Sequence, residues 1–442
     1  MDERRNSKKM RIRKEINKLV KEFYKISSKK FIPGTSKIHY SGPIFDHKEI
    51  NAVVNSLLDG WLAAGKSVYE FEKEFSKYIG SKDVVTTNSG SSANLLAMSA
   101  LKNEKIENFI KEDKEVITPA LTFPTTTNAV ILNNLIPVFL DVEVGTYNII
   151  PEDIESAITD KTKAILLVHM LGNPCNMKKI MKIANDNNLF VVEDCCDGHG
   201  SEYNRKKIGT FGDMGTFSFY CAHALTMVEG GAITVNKTQY APILRSLRTW
   251  GRACACPICY DALDPNYLCP IRFASKEFEN YDKRYLFINI GYNLKLLELQ
   301  GAWGLEQLKR IGNFKEKRTK NFNFIYNILK DYEDLLILPM AEKNSSPCWF
   351  SFPITVRENV GFTRADLVDY LEKSKIETRS FMTGNILKQP AYQKIKNRAI
   401  GDLKNSDIIT KNSFFIGCYP GLTQKMLDFI GEKLTEFLDK NH

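Results

Sequence analysis

Four cysteines fall within sixteen residues of this chain: Cys254, Cys256, Cys259 and Cys269, in the segment GRACACPICYDALDPNYLCPIRF. Clustered thiolates of this kind hold either a structural zinc or an iron-sulfur cluster, since both accept four sulfur ligands. The general spacing suits zinc. The single residue between Cys254 and Cys256 is tighter than a usual zinc knuckle and points toward iron and sulfur. The other chemistry-bearing residues lie upstream. The turn Thr87-Asn88-Ser89-Gly90-Ser91-Ser92-Ala93-Asn94 sits between an apolar strand and an Ala/Leu-rich helix. Unpaired backbone N–H groups and the positive dipole end of a helix, approached over glycine and small hydroxyl residues, suit a phosphate, although such turns also serve as plain helix caps. Asp194 ends the apolar run LFVVED at the carboxyl end of an expected parallel strand, where open α/β sheets put ligands. A carboxylate there can keep a pyridinium nitrogen protonated and make the ring an electron sink, or it can be an ordinary loop acid.

The elements that must position these groups alternate. DVVTTNSGSSANLLAMSALK reads as strand, turn and helix, and KEVITPALTFPTTTNAVILNN repeats the scheme. IPVFLDV, KAILLVHML and LFVVEDCC read as further buried strands, and GTFSFYCA with GAITVN as a later strand pair around a loop. The alternation predicts an α/β fold with a mostly parallel central sheet covered on both faces. Residues 1–48 read as a basic helix followed by the extended arm FIPGTSKIHYSGPIF, 49–310 as a large domain with the Cys-rich loop at 251–273, and 311–442 as a smaller C-terminal α+β domain. A single long helix over about 295–330 is expected to cross between the two.

Composition bounds the rest. The chain has 442 residues, 43% of them hydrophobic, enough for a large core. No apolar run approaches a membrane span and the N-terminus lacks the apolar core of a secretory signal, so a cytoplasmic protein with no membrane partner is expected. The formal charge of +9 sits almost entirely at the start, where residues 1–30 hold twelve Lys or Arg against four acids. Ile12, Ile16, Leu19, Val20 and Phe23 recur there at helical spacing, which predicts an amphipathic helix docked on the body with a wet basic face, not a nucleic-acid binder. Ten cysteines in a reducing compartment favour metal binding or reactivity over disulfides.

GTFSFYCAHALTMVEGG resembles the cofactor-anchoring segment of the DegT/DnrJ/EryC1/StrS sugar aminotransferase family, whose members have the PLP-dependent transferase fold type I of aspartate aminotransferase. In that family Ser-Phe leads to a Schiff-base lysine and then to a Gly-Gly strand. Here the lysine position is His223, and no lysine lies between Lys207 and Lys237. Imidazole forms no stable Schiff base with pyridoxal phosphate, but its ordinary pKa near 6.5 suits a general base. WLAAGKSVYEFEKEFSKYIG, NSGSSANLL, ALTFPTT, VEDCCDGHG, NIGYNLKLLELQGAWGLEQL, ETRSFMTGN and CYPGLT extend the likeness from about residue 30 to the C-terminus. They resemble the pyridoxamine-phosphate- and iron-sulfur-dependent branch that acts on CDP-4-keto-6-deoxyglucose in 3,6-dideoxyhexose and O-antigen biosynthesis.

The resemblance implies roles by position. Gly90, Ser91 and Ser218 would bind the cofactor phosphate, Phe123 would stack on the pyridine ring, Asp194 would pair with its nitrogen and Asp197 would lie near its phenolic oxygen. Asn293 would reach in from a second subunit, implying a homodimer, and Arg379 and Asn385 would contact substrate. His223 would take a proton from the methylene of pyridoxamine 5'-phosphate, and hydroxide would leave carbon 3 of the nucleotide-linked keto-sugar. Single electrons would then arrive through a 2Fe-2S cluster on Cys254, Cys256, Cys259 and Cys269 from an NADH-dependent flavin iron-sulfur reductase. The branch commonly has two successive histidines where this chain has His223-Ala224, and its gap before the fourth cysteine is usually shorter. Two rivals use the same residues differently. A cluster-free, colitose-type PLP-dependent 3-dehydratase shares the His-for-Lys exchange but not the cysteine loop, and a non-catalytic relative gives no reason for Asp194, Phe123 and four clustered cysteines to occur together.

Overall fold

Eight strands form the central sheet of the computed structural model, which describes residues 2–26, 30–264, 266–275 and 278–442. The apolar runs become β1 (Asp83–Thr87), β2 (Glu115–Pro119), β3 (Ile136–Leu140), β4 (Thr162–Val168), β5 (Phe190–Asp194), β6 (Met214–Ser218) and β7 (Gly231–Val235). The sheet order is β1-β7-β6-β5-β4-β2-β3, with Arg398–Ala399 at the far edge. β2 through β6 pair in parallel, and β7 alone runs antiparallel to both its neighbours. Near-continuous Val, Ile and Leu suit strands buried on both faces. One face packs on Ala93, Leu96 and Leu244, the other on Ile154, Ile180 and Ala184.

The C-terminal part builds a second, antiparallel sheet in the order Leu336–Ile337, Ser351–Val356, Ser413–Gly417, Thr378–Ser380. Helices Arg364–Lys373 and Gln424–Asp439 pack on it. The arm after the N-terminal helix crosses to this sheet, where Ile38 bridges Ile376, while Arg398–Ala399 returns a strand to the large one. The expected boundary near residue 310 is therefore crossed in both directions.

Two expectations change. The long helix over 295–330 is two helices, Glu298–Leu308 and Ile311–Leu329. The fully buried Glu49 carboxylate accepts from Gln307 Nε2 at 2.7 Å and from Arg310 at 2.8 Å across this break. Pairing a buried charge outweighs the continuity of one helix. The N-terminal helix α1 (Asp2–Ile26) docks through one flank only. Tyr24 donates to Phe45 O and Arg13 pairs with Asp59 of α2 (His47–Asp59), yet Ile12, Leu19 and Phe23 stay exposed. No helix among the described residues is long and apolar enough to cross a membrane.

Candidate active site

Strand ends and helix starts converge on one cavity of about 270 Å³, far more than a packing defect that holds a single water. α3 (Lys66–Ile79) leads into β1, and the following turn starts α4 (Gly90–Leu101). Ser89 caps that helix by accepting from Ser92 N at 3.1 Å, and Gly90 and Ser91 line the cavity at its first turn. A Cβ at Gly90 would sit 2.4 Å from Ser218 Cβ and 2.9 Å from Cys196 Sγ, so only glycine lets the helix start lie against the end of β6. β2 leads to Phe123, which precedes α5 (Pro124–Ile131) and holds its ring 54% exposed at the cavity.

Asp194, at the end of β5, accepts from Asn94 Nδ2 at 2.7 Å, Thr126 Oγ1 at 2.8 Å and Cys196 N at 3.1 Å. Three donors stabilise its charge although it is 4% exposed. His223, in the β6–β7 connection, has its Nδ1 buried 3.5 Å from Asp197 Oδ1. That distance is within ion-pair range, but burial opposes both charges. Burial and the Asp194 charge push Asp197 up to about 7, and burial with the nearby Arg318 guanidinium lowers His223 to about 3. At neutral pH the imidazole is therefore a neutral base, and Nε2 is the nitrogen available to the cavity.

The structure thus brings together Gly90, Ser91, Phe123, Asp194, Asp197, Ser218, His223 and Arg379. Arg379 enters from the C-terminal sheet with its guanidinium 4.5 Å over the Tyr40 ring and 2.6 Å from Glu377. Asn385 is not among them. It is 4% exposed, and its side chain is taken up by Asp407 at 2.8 Å and by Leu387 N at 3.1 Å. Asn293 is exposed and bridged to Thr249, away from this chain's own cavity. Tyr40, Phe350, Met382 and Phe415 close the cavity from the arm and C-terminal sheet; no spacing pattern in the sequence marks them.

The cysteine segment is a separate loop. Its stem is fixed where Gly251 O accepts from Ile288 N at 2.8 Å and Tyr292 O accepts from Trp250 N at 2.6 Å. Gly251 is at φ +85, and a Cβ there would meet Asn289 O at 1.7 Å. Cys254, Cys259 and Cys269 line a hollow with Arg272, Lys283 and Arg284. Burial and the neighbouring Cys254, Cys269 and Cys259 sulfurs push the Cys256 thiol up. A tetrahedral zinc with Zn–S of about 2.3 Å would hold its thiolates about 3.8 Å apart. Among the described residues the set of three possible ligand atoms within 4.8 Å of one another is His169, Glu193 and Cys195, and no trio of the loop cysteines meets that limit. The His169 set is a structural network. Glu193 accepts from Gly209, Phe211 and Gly212 N–H groups and lies 3.2 Å from His169 Nε2, while His169 Nδ1 accepts from Cys175 N.

Known proteins resemble the chain along nearly its whole length. The sequence profile of the DegT/DnrJ/EryC1/StrS aminotransferase family matches residues 43–435. The lipopolysaccharide biosynthesis protein RfbH of Salmonella typhimurium is 43% identical over 97% of this chain and 99% of its own. The dTDP-4-dehydro-2,6-dideoxy-D-glucose 3-dehydratase of Saccharopolyspora spinosa is 42% identical over 93% of this chain and 88% of its own. Among solved structures, Escherichia coli GDP-4-keto-6-deoxy-D-mannose-3-dehydratase with bound hydrated PLP superposes with a TM-score of 0.81 at 31% identity, covering 90% of this chain and 100% of that one. With its mostly parallel sheet and transferase-type neighbours, the chain belongs to the DegT/DnrJ/EryC1/StrS aminotransferase family.

Proposed function

We propose that this protein is a dehydrase that removes the carbon-3 hydroxyl of a nucleotide-linked 4-keto-6-deoxyhexose, CDP-4-keto-6-deoxyglucose first, using pyridoxamine 5'-phosphate and a 2Fe-2S cluster. The observation that carries it is the pairing of a lysine-free cofactor cavity, with a neutral buried His223, and a loop of four cysteines in which three sulfurs act on Cys256. When bound, the vitamin supplies an amino group for the keto carbon and a ring that takes up an electron pair.

The residues present fit that group. The α4 start and Ser218 offer donors to its phosphate, Phe123 an open ring face, and Asp194 a stabilised carboxylate for a protonated ring nitrogen. His223 Nε2 accepts a carbon-bound proton and returns it to the departing hydroxide, so the imidazole ends as it began. Arg379 offers a cation to the substrate's diphosphate. Tyr40, Phe350 and Phe415 keep water from the reacting carbons.

The donor set of the loop also fits a cluster. Three neighbouring sulfurs that push the Cys256 thiol up call for a cationic core, which would deprotonate its ligands outright. Arg272, Lys283 and Arg284 line the same hollow, with Asp282 bonded to both arginines, and offset the negative charge of the ligated sulfurs. Around the loop, Leu268, Phe273, Tyr285 and Ile290 are 85%, 53%, 60% and 100% exposed. Apolar surface on this scale marks an interface, for a reductase that delivers electrons and for the second subunit of a homodimer. Backbone pairing of the loop stem with Tyr292 and Asn293 means that an Asn293 reaching a partner's cavity carries the cluster loop with it.

The cluster-free reading has one observation in its favour, the close match to a GDP-sugar 3-dehydratase structure with bound hydrated PLP; it leaves the four-thiol loop without a purpose. Anaerobically purified protein should contain about two irons and two sulfides per chain. With pyridoxamine 5'-phosphate it should convert CDP-4-keto-6-deoxyglucose to a 3-deoxy product only when reductase and NADH are supplied, and faster than the dTDP or GDP sugar. Turnover of any of these sugars by iron-free protein with glutamate would establish the cluster-free reading instead. Gly90→Ala should lower stability by about 1–3 kcal/mol through overpacking and weaken pyridoxamine 5'-phosphate binding about tenfold or more, read by ligand-dependent thermal shift. An unaltered shift would remove the phosphate from the α4 start.

A further inference from the structure

Three imidazole nitrogens behind the cavity are buried without a hydrogen-bond partner: both of His199 and Nδ1 of His223. His199 is 1% exposed and wedged against Phe217 and Phe219, 5.4 Å from each ring centre, and its own centre lies 6.2 Å from that of His223. A neutral imidazole carries one N–H to donate and one lone pair to fill, and burial with both unmet is costly. The two rings make no direct hydrogen bond, and one water shared between them would satisfy a nitrogen on each.

We propose that His199 is a positioning residue for His223, the two rings sharing one ordered water that holds His223 with hydrogen on Nδ1 and its lone pair on Nε2, toward the cavity. His223 Nδ1–H donates to the water oxygen, and the water donates to a His199 ring nitrogen. When Nε2 takes up a proton, the Nδ1–H bond breaks as an O–H bond forms on the water. The water's other O–H breaks as an N–H forms on His199, and the reverse sequence restores the start. The pair carries one added proton until Nε2 releases it to the departing hydroxide.

The charged and titratable groups facing it fit this arrangement. Arg318, from the helix Ile311–Leu329, is buried, donates to the Trp349 and Phe350 carbonyls and interacts with Cys418, and its charge opposes a lasting imidazolium on either ring. Asp197, from the loop after β5, is pushed up to about 7 by burial and Asp194, and its Oδ1 at 3.5 Å is not a hydrogen-bond partner of Nδ1. Tyr220 meets His223 edge-on at 6.3 Å.

The proposal rests on His223 acting as the base of the dehydrase reading, and its test separates the two. Ring ¹⁵N spectra of the protein without substrate, which has six histidines, should show His223 as the Nδ1–H tautomer at neutral pH, with one His199 nitrogen accepting a hydrogen bond from a group in exchange with water. In His199→Phe, which suits the aromatic surroundings, the His223 tautomers should mix and the pH profile of turnover should move. Here kcat should fall about 10- to 100-fold with KM unchanged, as expected on losing a group that orients a catalytic side chain. His199→Gln should recover most of the loss. Wild-type spectra in which His199 nitrogens are unbonded overturn the proposal, as does a folded His199→Phe with unchanged tautomer and pH profile. A bridged pair in a protein that dehydrates nothing removes the function reading alone.

Discussion

Turnover should fall by about three orders of magnitude when His223 becomes asparagine, within the range expected on losing a general base. Asparagine approximates the imidazole's Nδ1 side and keeps most of the packing against Phe350, whose ring centre is 5.4 Å away, so the cavity should persist. What disappears is a neutral nitrogen whose lone pair is free at physiological pH, and none of the other groups lining the cavity is suited to replace it. Asp197, pushed up to about 7, is half protonated near neutrality, and Asp194 already accepts three hydrogen bonds. The variant should bind pyridoxamine 5'-phosphate normally and leave the visible spectrum of the loop unchanged. His223→Lys makes the converse point. Its amine can capture the aldehyde form, so borohydride should fix the vitamin to that variant and not to wild type. Near-native turnover in His223→Asn, or wild-type protein covalently labelled after borohydride, would remove His223 from the chemistry.

How much of this was legible in the sequence depends on the kind of force that places each residue. Asp194 and Gly90 are readable because a buried parallel strand has a recognisable apolar run and its carboxyl end faces the ligand side of the sheet. The strand pair β6 and β7 was equally plain. His223 is readable only through the motif around it, since a single histidine carries no signal of its own. Phe350, Met382 and Phe415 arrive by packing between distant segments, which leaves no periodicity. Arg318 lies in FKEKRTKNF, which reads as a solvated helix face, yet the C-terminal sheet buries it to 1% exposure. The break before Ile311 was hidden for the same reason, because it answers to Glu49 some 260 positions away. Asn385 is placed by local forces: its side chain caps its own loop and bonds Asp407. His199 stood in the quoted segment VEDCCDGHG, but its meaning depends on a neighbour 24 residues later.

Cysteine-to-serine changes in the loop should abolish formation of the 3-deoxy product while leaving the vitamin site intact. The effect should be largest at Cys254 and Cys256. These two thiols interact by hydrogen bond as well as by charge, which suits a pair of ligands on one iron. Removing either leaves that iron a single protein sulfur, and bound iron should fall from about two per chain to near zero, since a two-iron core needs all four protein ligands. Cys269→Ser should behave in the same way if the long nine-residue gap still ends in a ligand, and Cys196→Ser, in the cavity wall and not in the loop, should keep its iron. Because the loop is tied to the body through Gly251 and the Tyr292 segment, and not through the metal, the variants should stay folded, with thermal transitions close to wild type. Loss of iron and of reductive turnover together, with unchanged pyridoxamine 5'-phosphate binding, separates electron delivery from proton transfer. A Cys256→Ser protein that retains full iron, or a wild-type loop that takes up one zinc and no iron under anaerobic loading, would end the electron-transfer account while leaving the His223 chemistry standing.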